Sequence, residues 1–398
     1  MNSTKTSNKL VYITSRFPFP IEKGDKLRAF YQLRDLSSYW DIHLIALSDV
    51  TVSEQHQEAV APYCKSIHIL KISKWAGYLR AFLGIFGQRP FQTYYFKSLR
   101  HQNKVNHLLQ TIQPDHIFAQ LIRTTEYVKN YHECQKTLDY MDIFSAGVQK
   151  RIALVPKIMR PVFESEWRRL LRYEHLIFDY FEHHTIISEQ DRNLLAHGDK
   201  NRVMVLPNGV DEHFLDFDAT KIEKEFDVCF VGNLSYPPNI ESVKFIVHEL
   251  LPEFKKRGQK INFLISGANP TSEILAFNSL VHITGWVDDI RLSYAKSKIF
   301  IAPMFIGTGL QNKLLEALAL GMPSITTPLA HKPLNCDTAL VSVAENAQEF
   351  ADEITKLLDS WQSENMRVRR KNFVKQKFDW KEINRALNAL LSSDLNQK

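Results

Sequence analysis

Short apolar runs alternate with helix-type patterns along the first half of the chain. Residues 10–15 (Leu-Val-Tyr-Ile-Thr-Ser) and 41–47 read as strands, whereas Leu27, Phe30, Tyr31 and neighbouring apolar residues recur at helical spacing. The same alternation predicts further strands at 66–70, 116–119, 137–140, 185–187 and 203–206. It also predicts helices at 53–63, 74–87 and 92–110, and a helical stretch at 144–181 that is broken at Pro156 and Pro161. Strands that alternate with helices indicate a parallel sheet covered on both faces.

A turn-rich, polar stretch then precedes a second α/β pattern. We predict a first domain at 1–208, a linker at 209–225, a second domain at 226–380, and a helix at 381–398 that packs back on the first domain. The second series has predicted strands at 227–231, 261–266, 281–284, 299–302, 324–327 and 340–343, and predicted helices at 239–249, 290–297, 310–320, 347–358 and 360–391. Two doubly wound domains of this kind bind ligands beyond the carboxyl ends of their strands, so we expect the site in a cleft between them.

Composition narrows the class of protein. Apolar residues make up 44% of the chain and charged residues 24%, as in ordinary globular proteins. No run of ~18 uncharged apolar residues is present, and the polar start has no apolar core of a secretory signal, so a cytoplasmic location is expected. The four cysteines are scattered singly, and no His, Cys or carboxylate spacing suggests zinc. Asp216 and Asp218 resemble a metal-binding DxD pair but lie in the predicted linker, where a solvated turn is the expected role. We therefore predict no metal and no other cofactor.

Positive charge is concentrated in one interval. No acidic residue occurs between Glu58 and Asp115, and the interval is rich in Lys, Arg and aromatic residues. Apolar side chains recur there at spacings of 3 or 4, at Trp75, Tyr78, Leu79, Phe82, Leu83 and Phe86. This pattern is typical of a helix lying on a membrane surface, so we predict contact with an anionic membrane through residues 71–100. It would place the protein peripherally on the inner face of the plasma membrane. A solvated face, nucleic acid binding, an acceptor groove or packing on the sheet are the alternatives; we predict no nucleic acid partner.

The segment 302–327 has the strongest pattern for a binding site. A buried strand leads through Gly307, Thr308 and Gly309 into a helix that carries one carboxylate, Glu316, about two turns in. Backbone amides at such a helix start favour phosphate, and Glu316 can accept hydrogen bonds from a sugar hydroxyl. A tight strand-to-helix turn without a ligand is the alternative. The combination indicates a sugar-nucleotide site.

Several segments together resemble one family. Residues 16–28, 206–211, 226–239, 282–289 and 307–327 match, in order, segments of the retaining nucleotide-sugar-dependent glycosyltransferases of family 4 (the group 1 transferases), which have the GT-B fold. The resemblance implies an α/β protein of two facing Rossmann-like domains, with acceptor binding in the first domain and donor binding in the second.

The resemblance also implies roles for individual residues. Glu316 would bind the ribose hydroxyls, and the amides of Gly309 and Leu310 would hold the diphosphate. Val287 would read the base through its backbone, with Trp286 nearby. The other donor-site positions implied are Thr308, Asn233 and Gly24, the last on the first domain.

Two departures from the family pattern concern charge. Thr308 stands where the family usually carries a second Glu that contacts the donor sugar. Residues 233–239 contain no cation, although the family often has Arg and Lys there to neutralise the diphosphate. Lys313, Arg16 and the helix start are the candidates for that task. In the first domain, Asp142, with Asp139 beside it at a strand end, is a candidate acceptor contact or base, or else a helix-capping residue.

The expected activity is transfer of a hexose or N-acetylhexosamine, with retention, from a UDP- or GDP-sugar to a polysaccharide or lipid-linked saccharide. A UDP-sugar 2-epimerase on the same fold and a non-catalytic sugar-nucleotide or polysaccharide-binding relative are the alternatives. An NAD dehydrogenase is disfavoured, because the first strand leads into Arg16-Phe-Pro-Phe-Pro rather than a GxGxxG turn.

Overall fold

The computed structural model describes residues 8–153, 155–306, 309–360 and 363–393. The chain divides into two compact units. The first unit consists of Met1–Pro207 together with Trp380–Lys398, and the second of Asn208–Asp379.

The first unit is built on a seven-stranded parallel sheet with the order β3-β2-β1-β4-β5-β6-β7. Its strands are β1 (Lys9–Thr14), β2 (Asp41–Ser48), β3 (Ser66–Lys71), β4 (His116–Gln120), β5 (Gln135–Met141), β6 (His183–Ile186) and β7 (Met204–Val205). Its helices are α1 (Gly24–Leu36), α2 (Glu54–Glu58), α3 (Lys74–Leu83), α4 (Phe91–Phe96), α5 (Leu99–Ile112), α6 (Phe144–Ile152), α7 (Arg160–Phe178) and α8 (Glu189–Leu194), joined at the end of the chain by α18 (Trp380–Ser392).

Alternation along β1 divides the core of this unit between the two sheet faces. Leu10 and Tyr12 belong to one buried cluster, and Val11 and Ile13 belong to another. Both sets are fully buried, as expected for a central strand covered by helices on each side.

The second unit has a six-stranded parallel sheet with the order β10-β9-β8-β11-β12-β13. Its strands are β8 (Phe226–Val231), β9 (Phe263–Ser266), β10 (His282–Gly285), β11 (Ser297–Ala302), β12 (Ser324–Thr326) and β13 (Ser342–Val343). Its helices are α9 (Glu212–Leu215), α10 (Pro237–Phe245), α11 (Leu251–Lys256), α12 (Ser272–Leu275), α13 (Ile290–Ala295), α14 (Asn312–Ala319), α15 (Pro328–His331), α16 (Ala347–Ser360) and α17 (Glu364–Lys377). A wider π turn, Ile246–Leu250, joins α10 to α11.

Two long predicted helices are interrupted in the structure. The stretch 360–391 breaks at Phe378 and Asp379, so that α17 and α18 fall in different units. The stretch 92–110 breaks at Lys97 and Ser98, where extended backbone separates α4 from α5. Amphipathic periodicity does not detect such breaks when apolar residues continue on both sides.

The start of the second unit is packed against the core of that unit. Residues 209–225, assigned to a linker by composition, lie in the second unit, where Val210 and Ala219 are buried.

Helix α18 lies in the first unit, where the Trp380 ring stacks on Tyr31 at 5.2 Å between centroids. Asn384 on the same helix donates to the Asp35 carboxylate at 2.7 Å.

Candidate functional site

The second unit brings a lysine and a glutamate together on one face of α14. Leu314, Leu315 and Leu318 face the core, whereas Lys313 and Glu316, three residues apart, lie together on a partly buried face. The helix follows β11 after a turn in which Gly309 has a φ of +77°, a conformation that favours glycine. The turn therefore positions one cation and one carboxylate beside the first turn of the helix. Gly307 and Thr308 lie outside the described residues.

Glu316 is oriented by a buried phenol on α13. The Tyr294 hydroxyl donates to Glu316 Oε2 at 2.8 Å and also lies 3.1 Å from the Lys313 carbonyl oxygen. Tyr294 is fully buried, so its ring position is set by the core. Burial raises the pKa of Glu316, and the Tyr294 hydroxyl acts against that rise by hydrogen bonding to the carboxylate. No hydrogen bond to Oε1 from the described part of the chain is present, so this oxygen is available to a ligand hydroxyl.

Lys313 is a cation without a carboxylate partner among the described residues. Its Nζ donates to Asn239 Oδ1, lies 3.7 Å from Met304 Sδ and is 4.7 Å from the centre of the Phe230 ring. Burial lowers the pKa of the Lys313 ammonium to about 7, although Glu316 acts in the opposite direction. A cation in this setting is stabilised by an arriving anion.

Two glycines let the backbone come close to this cation. A Cβ added at Gly232 would lie 2.6 Å from Asn239 Nδ2 and 3.1 Å from Lys313 Nζ. Gly267 has a φ of +148°, and a Cβ there would lie only 1.7 Å from the Gly232 carbonyl oxygen. The residue after β8 therefore lies close to the Lys313 ammonium, and the residue after β9 packs against the residue after β8.

The structure gives Asn233 a supporting position in this loop. Its side-chain oxygen accepts hydrogen bonds from Ser235 N and Oγ at 3.0 and 2.7 Å, and its carbonyl accepts from Asn239 Nδ2 at 2.8 Å. The Asn233 side chain is therefore committed to its own turn. Its route to the predicted donor site is indirect, through Asn239 and then Lys313.

The loop after β10 presents an exposed aromatic residue. Gly285 has a φ of +69°, and Trp286, which follows it, is 69% exposed. Val287 is partly exposed, and Leu310 beside the α14 turn is also partly exposed. These residues are accessible to a ligand at the carboxyl edge of the sheet; their contact with a base or diphosphate stays a prediction.

In the first unit, one of the two neighbouring aspartates is structural. Asp139 is fully buried and forms a two-pronged ion pair with Arg28, with distances of 2.7 and 3.1 Å. It also accepts from Thr185 Oγ1 at 2.8 Å. Asp139 is thus occupied by protein groups, and the suggestion that it contacts the acceptor is not supported.

Asp142 differs in its surroundings. It follows β5 directly, is partly exposed, and makes no side-chain hydrogen bond with the described residues. Burial, with smaller contributions from Asp191 and Asp139, raises the pKa of the Asp142 carboxyl to about 7. A carboxyl of this kind at a strand end can exchange a proton near neutral pH.

Arg16 lies in the loop after β1, and Gly24 begins the helix that follows this loop. Arg16 Nη1 donates to Asp25 Oδ2 at 2.7 Å, so this arginine is paired with a carboxylate. Gly24 is the first residue of α1 and is exposed, and a Cβ there would meet no atom within 4 Å. Space around Gly24 thus does not require glycine within the described structure.

The sequence reasoning missed Tyr294 and the part played by Asn239. Tyr294 could have been noticed as a phenol among apolar neighbours, because a buried hydroxyl needs a polar partner. Asn239 sits in the first turn of a helix that begins with Pro237 and Pro238, but no local signal predicts its pairing with Lys313. Within the described residues, no group of three or more His, Cys, Asp or Glu side chains is placed to hold a metal ion.

The chain resembles known proteins in sequence and in fold. Residues 225–360 match the model of the family described as "Glycosyl transferases group 1". A Klebsiella pneumoniae protein described as an uncharacterized 44.6 kDa protein in cps region is 24% identical over 345 residues, which are 81% of this chain and 83% of that protein. An uncharacterized glycosyltransferase of Methanocaldococcus jannaschii is 24% identical over 250 residues, 55% of this chain and 62% of that protein.

The fold has solved counterparts. Anabaena HepE, solved in complex with UDP and glucose, superposes with a TM-score of 0.69 at 13% identity and covers 97% of this chain and 100% of its own. A likeness at this identity shows the fold, which is the two-domain α/β GT-B fold of glycosyltransferases. The match of residues 225–360 to this family, together with the GT-B fold, shows that the protein is a glycosyltransferase whose second unit resembles the group 1 transferases.

Proposed function

We propose that this glycosyltransferase moves a hexose or N-acetylhexosamine, with retention, from a UDP- or GDP-sugar to a polysaccharide or lipid-linked saccharide. The observation that carries the proposal is that Lys313 and Glu316 lie on the same face of α14, beside the Gly309 turn. A cation for the diphosphate and a carboxylate for ribose hydroxyls are the two features that a nucleotide sugar requires. The presence of UDP and glucose in HepE supports UDP as the nucleotide.

The donor would be held by charge and by backbone amides. Glu316 binds the ribose through the carboxylate oxygen that Tyr294 leaves free, and the amides of Gly309 and Leu310 hold the diphosphate. Lys313 adds the positive charge, taking up a proton when the diphosphate arrives. Such preorganised groups stabilise the departing diphosphate and so lower the barrier to breaking the glycosyl–phosphate bond.

The acceptor would be bound by the first unit. Asp142 contacts the attacking sugar hydroxyl, and the departing phosphate takes that hydroxyl's proton on the same face, which retains the anomeric configuration. In this scheme no metal is required, because Lys313 and the amides provide the electrostatic stabilisation.

A binding experiment with matched variants tests the donor site. UDP-glucose, UDP-N-acetylglucosamine and the GDP, ADP and CDP equivalents are titrated into the full chain by calorimetry, together with thermal shifts. Glu316→Gln is expected to weaken the best nucleotide about 10- to 100-fold, since hydrogen bonds to a charged group contribute about 1.5–3 kcal/mol. Glu249→Gln, at an exposed carboxylate in the π turn after α10, is the matched control and should change nothing.

The outcomes separate the alternatives. Absence of binding by every nucleotide sugar would contradict the donor assignment, and unchanged binding by Glu316→Gln would show that the site is elsewhere. Interconversion of UDP-N-acetylglucosamine with its 2-epimer, without transfer, would favour the epimerase alternative.

We further propose that the first unit docks on an anionic membrane surface through α3 and the turn after it. Trp75 and Phe86 are 86% and 89% exposed, and Tyr78, Leu79, Phe82 and Leu83 are also exposed. The inner side of the helix is held by close packing of Gly77 against the Tyr95 ring, so the apolar side chains face outward. In the described part of the chain, no helix is both long and apolar enough to span a bilayer.

Hydrogen bonds and ion pairs within the first unit limit which basic residues are available to bind lipid headgroups. Arg80 donates to the Tyr95 carbonyl oxygen at 2.8 Å, and Arg89 and Lys97 pair with Glu126, at 3.2 and 2.7 Å. Lys71 and Lys74 are exposed. They would each contribute about 1 kcal/mol beside anionic lipid.

Vesicle sedimentation tests the docking. The wild-type chain is expected to bind vesicles of phosphatidylcholine with phosphatidylglycerol more strongly than phosphatidylcholine alone, and a Lys71→Glu, Lys74→Glu double variant should lose that preference. Phe86→Ser should weaken binding, whereas Ile158→Ser, at a residue 87% exposed outside α3, should not. Equal binding by all these proteins, or none by the wild type, would overturn the proposal.

A further inference from the structure

Two arginines project from adjacent central strands of the first unit. Strands β1 and β4 pair in parallel, and Arg16 and Arg123 follow their carboxyl ends by two and three residues. The turn after β4 begins with Leu121 in the left-handed region, at a φ of +66°. Carboxyl ends of adjacent parallel strands are where sheets of this class bind ligands.

Arg123 is held rigidly while its outer nitrogens stay uncommitted. Its guanidinium lies 4.7 Å from the centre of the Phe144 ring and 5.4 Å from that of Phe96, and its Nε donates to Gln92 Oε1 at 2.8 Å. The described residues supply no hydrogen bond and no carboxylate to Nη1 or Nη2. The side chain is partly exposed, so these nitrogens can be reached.

The carboxylates that influence Arg123 are each bonded to another group. Asp25 pairs with Arg16, Glu166 accepts from the Phe91 backbone N–H at 2.6 Å, and Asp49 accepts from the Tyr95 hydroxyl at 3.1 Å. Burial, followed by repulsion from Arg16, lowers the pKa of Arg123 to about 10. Because Asp25, Glu166 and Asp49 are each bonded to another group, they leave the outer nitrogens of Arg123 available to an additional anion, and Arg16 follows the adjacent strand end.

We propose that Arg123 and Arg16 form a binding site for an anionic group, a phosphate ester or a carboxylate, on the acceptor saccharide. The planar guanidinium fork is suited to both groups because two parallel N–H bonds match their paired oxygens. In this arrangement the arginines bind the anionic group, and Asp142 contacts a neighbouring hydroxyl of the acceptor. The assignment to the acceptor rests on the proposed function, whereas anion binding itself does not.

The first unit contains a matched control arginine. Arg169 lies 4.6 Å from the centre of the Phe91 ring, so it contacts that ring at about the distance of Arg123 from Phe144. Its outer nitrogens, however, donate to the carbonyl oxygens of Gly84, Ile85 and Arg89 at 2.6, 2.7 and 3.1 Å. Arg169→Gln therefore removes a stacked guanidinium without removing an available anion-binding fork.

Calorimetric titration of the full chain with glucose 1-phosphate, glucuronic acid and glucose tests the site, with saturating UDP present to fill the donor site. At least one of the two anionic sugars is expected to bind the wild type, and neutral glucose at least tenfold more weakly. Arg123→Gln should weaken the anionic sugar at least tenfold, and Arg169→Gln should leave it unchanged. Arg123→Lys should fall between them, because an ammonium keeps the charge and loses the fork.

Each outcome decides between sources or against the proposal. Binding of glucose 1-phosphate alone indicates a phosphorylated acceptor, and binding of glucuronic acid alone indicates a uronate. Binding by neither, or equal binding by the wild type and Arg123→Gln, would overturn the site. If UDP itself does not bind, the donor proposal fails; the same titration without UDP, in the Lys313→Met background, still decides the arginine site.

Discussion

At the scale of single residues, partners decide what each charge can do. Lys313 and Arg28 are both enclosed cations, but Arg28 is matched by the Asp139 carboxylate. Among the residues that the structure describes, Lys313 contacts the neutral Asn239 and Met304 and the Phe230 ring, and it forms no ion pair. A matched buried pair is a structural element, because removing one partner costs about 3–5 kcal/mol. An unmatched cation near its own pKa is instead sensitive to the arrival of an anion.

This difference predicts how donor affinity depends on pH. In the free protein the pKa of Lys313 is lowered to about 7, so above that value the amine is mostly neutral and must take up a proton to pair with a diphosphate. Affinity for UDP-glucose should therefore fall as pH rises, by up to about tenfold per unit, until the pKa of the bound state is reached. Calorimetry between roughly pH 6 and 9, in buffers of different ionisation enthalpy, measures both the affinity and the proton uptake.

Two variants serve as controls for this pH dependence. Lys313→Arg keeps a permanent charge and should bind with little pH dependence, and Lys313→Met should bind weakly at every pH. A slope that persists in Lys313→Met would assign the titration to another group.

At the scale of elements, close backbone approach around the donor site depends on glycine. The loops after β8 and β9 meet where Gly267 faces the Gly232 carbonyl oxygen, and no side chain fits between them. Gly232 in turn lies close to the Asn239 amide and the Lys313 ammonium. The close contact between Gly232 and Gly267 is therefore needed for the site as well as for the fold.

Replacing Gly267 should lower the stability of the protein, whereas replacing a glycine within a helix should raise it. Gly267→Ala is expected to destabilise the protein by about 1–3 kcal/mol, because its φ of +148° disfavours a side chain and the Cβ would collide with backbone. Gly147→Ala, in α6 where a Cβ meets nothing within 4 Å, should stabilise by about 0.5–1 kcal/mol. Chemical denaturation measures both, and equal stability of the two variants would contradict this account.

At the scale of the whole molecule, the chain returns to the unit in which it began. Trp380, Leu387 and Leu391 of α18 belong to the same buried cluster as Leu10 and Tyr12 of β1. The first unit is thus completed only by the last helix of the chain, whereas the second is formed by a continuous segment.

Loss of α18 packing should therefore weaken one unit selectively. Trp380→Ala is expected to destabilise the first unit by about 3–5 kcal/mol, since a fully buried aromatic ring is replaced by a cavity. Trp75→Ala, at an exposed indole, should stay within about 0.5 kcal/mol of the wild type. Thermal unfolding followed with and without UDP tests this; loss of UDP binding in folded Trp380→Ala would show that the donor site also depends on α18.

Much of this architecture follows from local pattern. The strand predictions match the observed strands to within a few residues, because each run of apolar β-type residues is bounded by turn residues and is read over a short window. The helix that carries Glu316 is shorter than predicted, beginning at Asn312 rather than Leu310. The breaks at Lys97 and Asp379 are not visible in the pattern, because apolar residues continue on both sides of each break.

Apolar periodicity, glycine placement and the basic interval were therefore sufficient to predict the fold class, the Glu316 helix and the exposed face of α3. Only the tertiary structure decided which polar residues are bonded to other protein groups and which are available to a ligand. Asp139 pairs with Arg28 at a separation of 111 residues, and Lys313 meets Asn239 at a separation of 74. The physical reason is that residue type sets what a charged group can do, while its partners and burial, which depend on contacts distant in the chain, set whether it is free to do so.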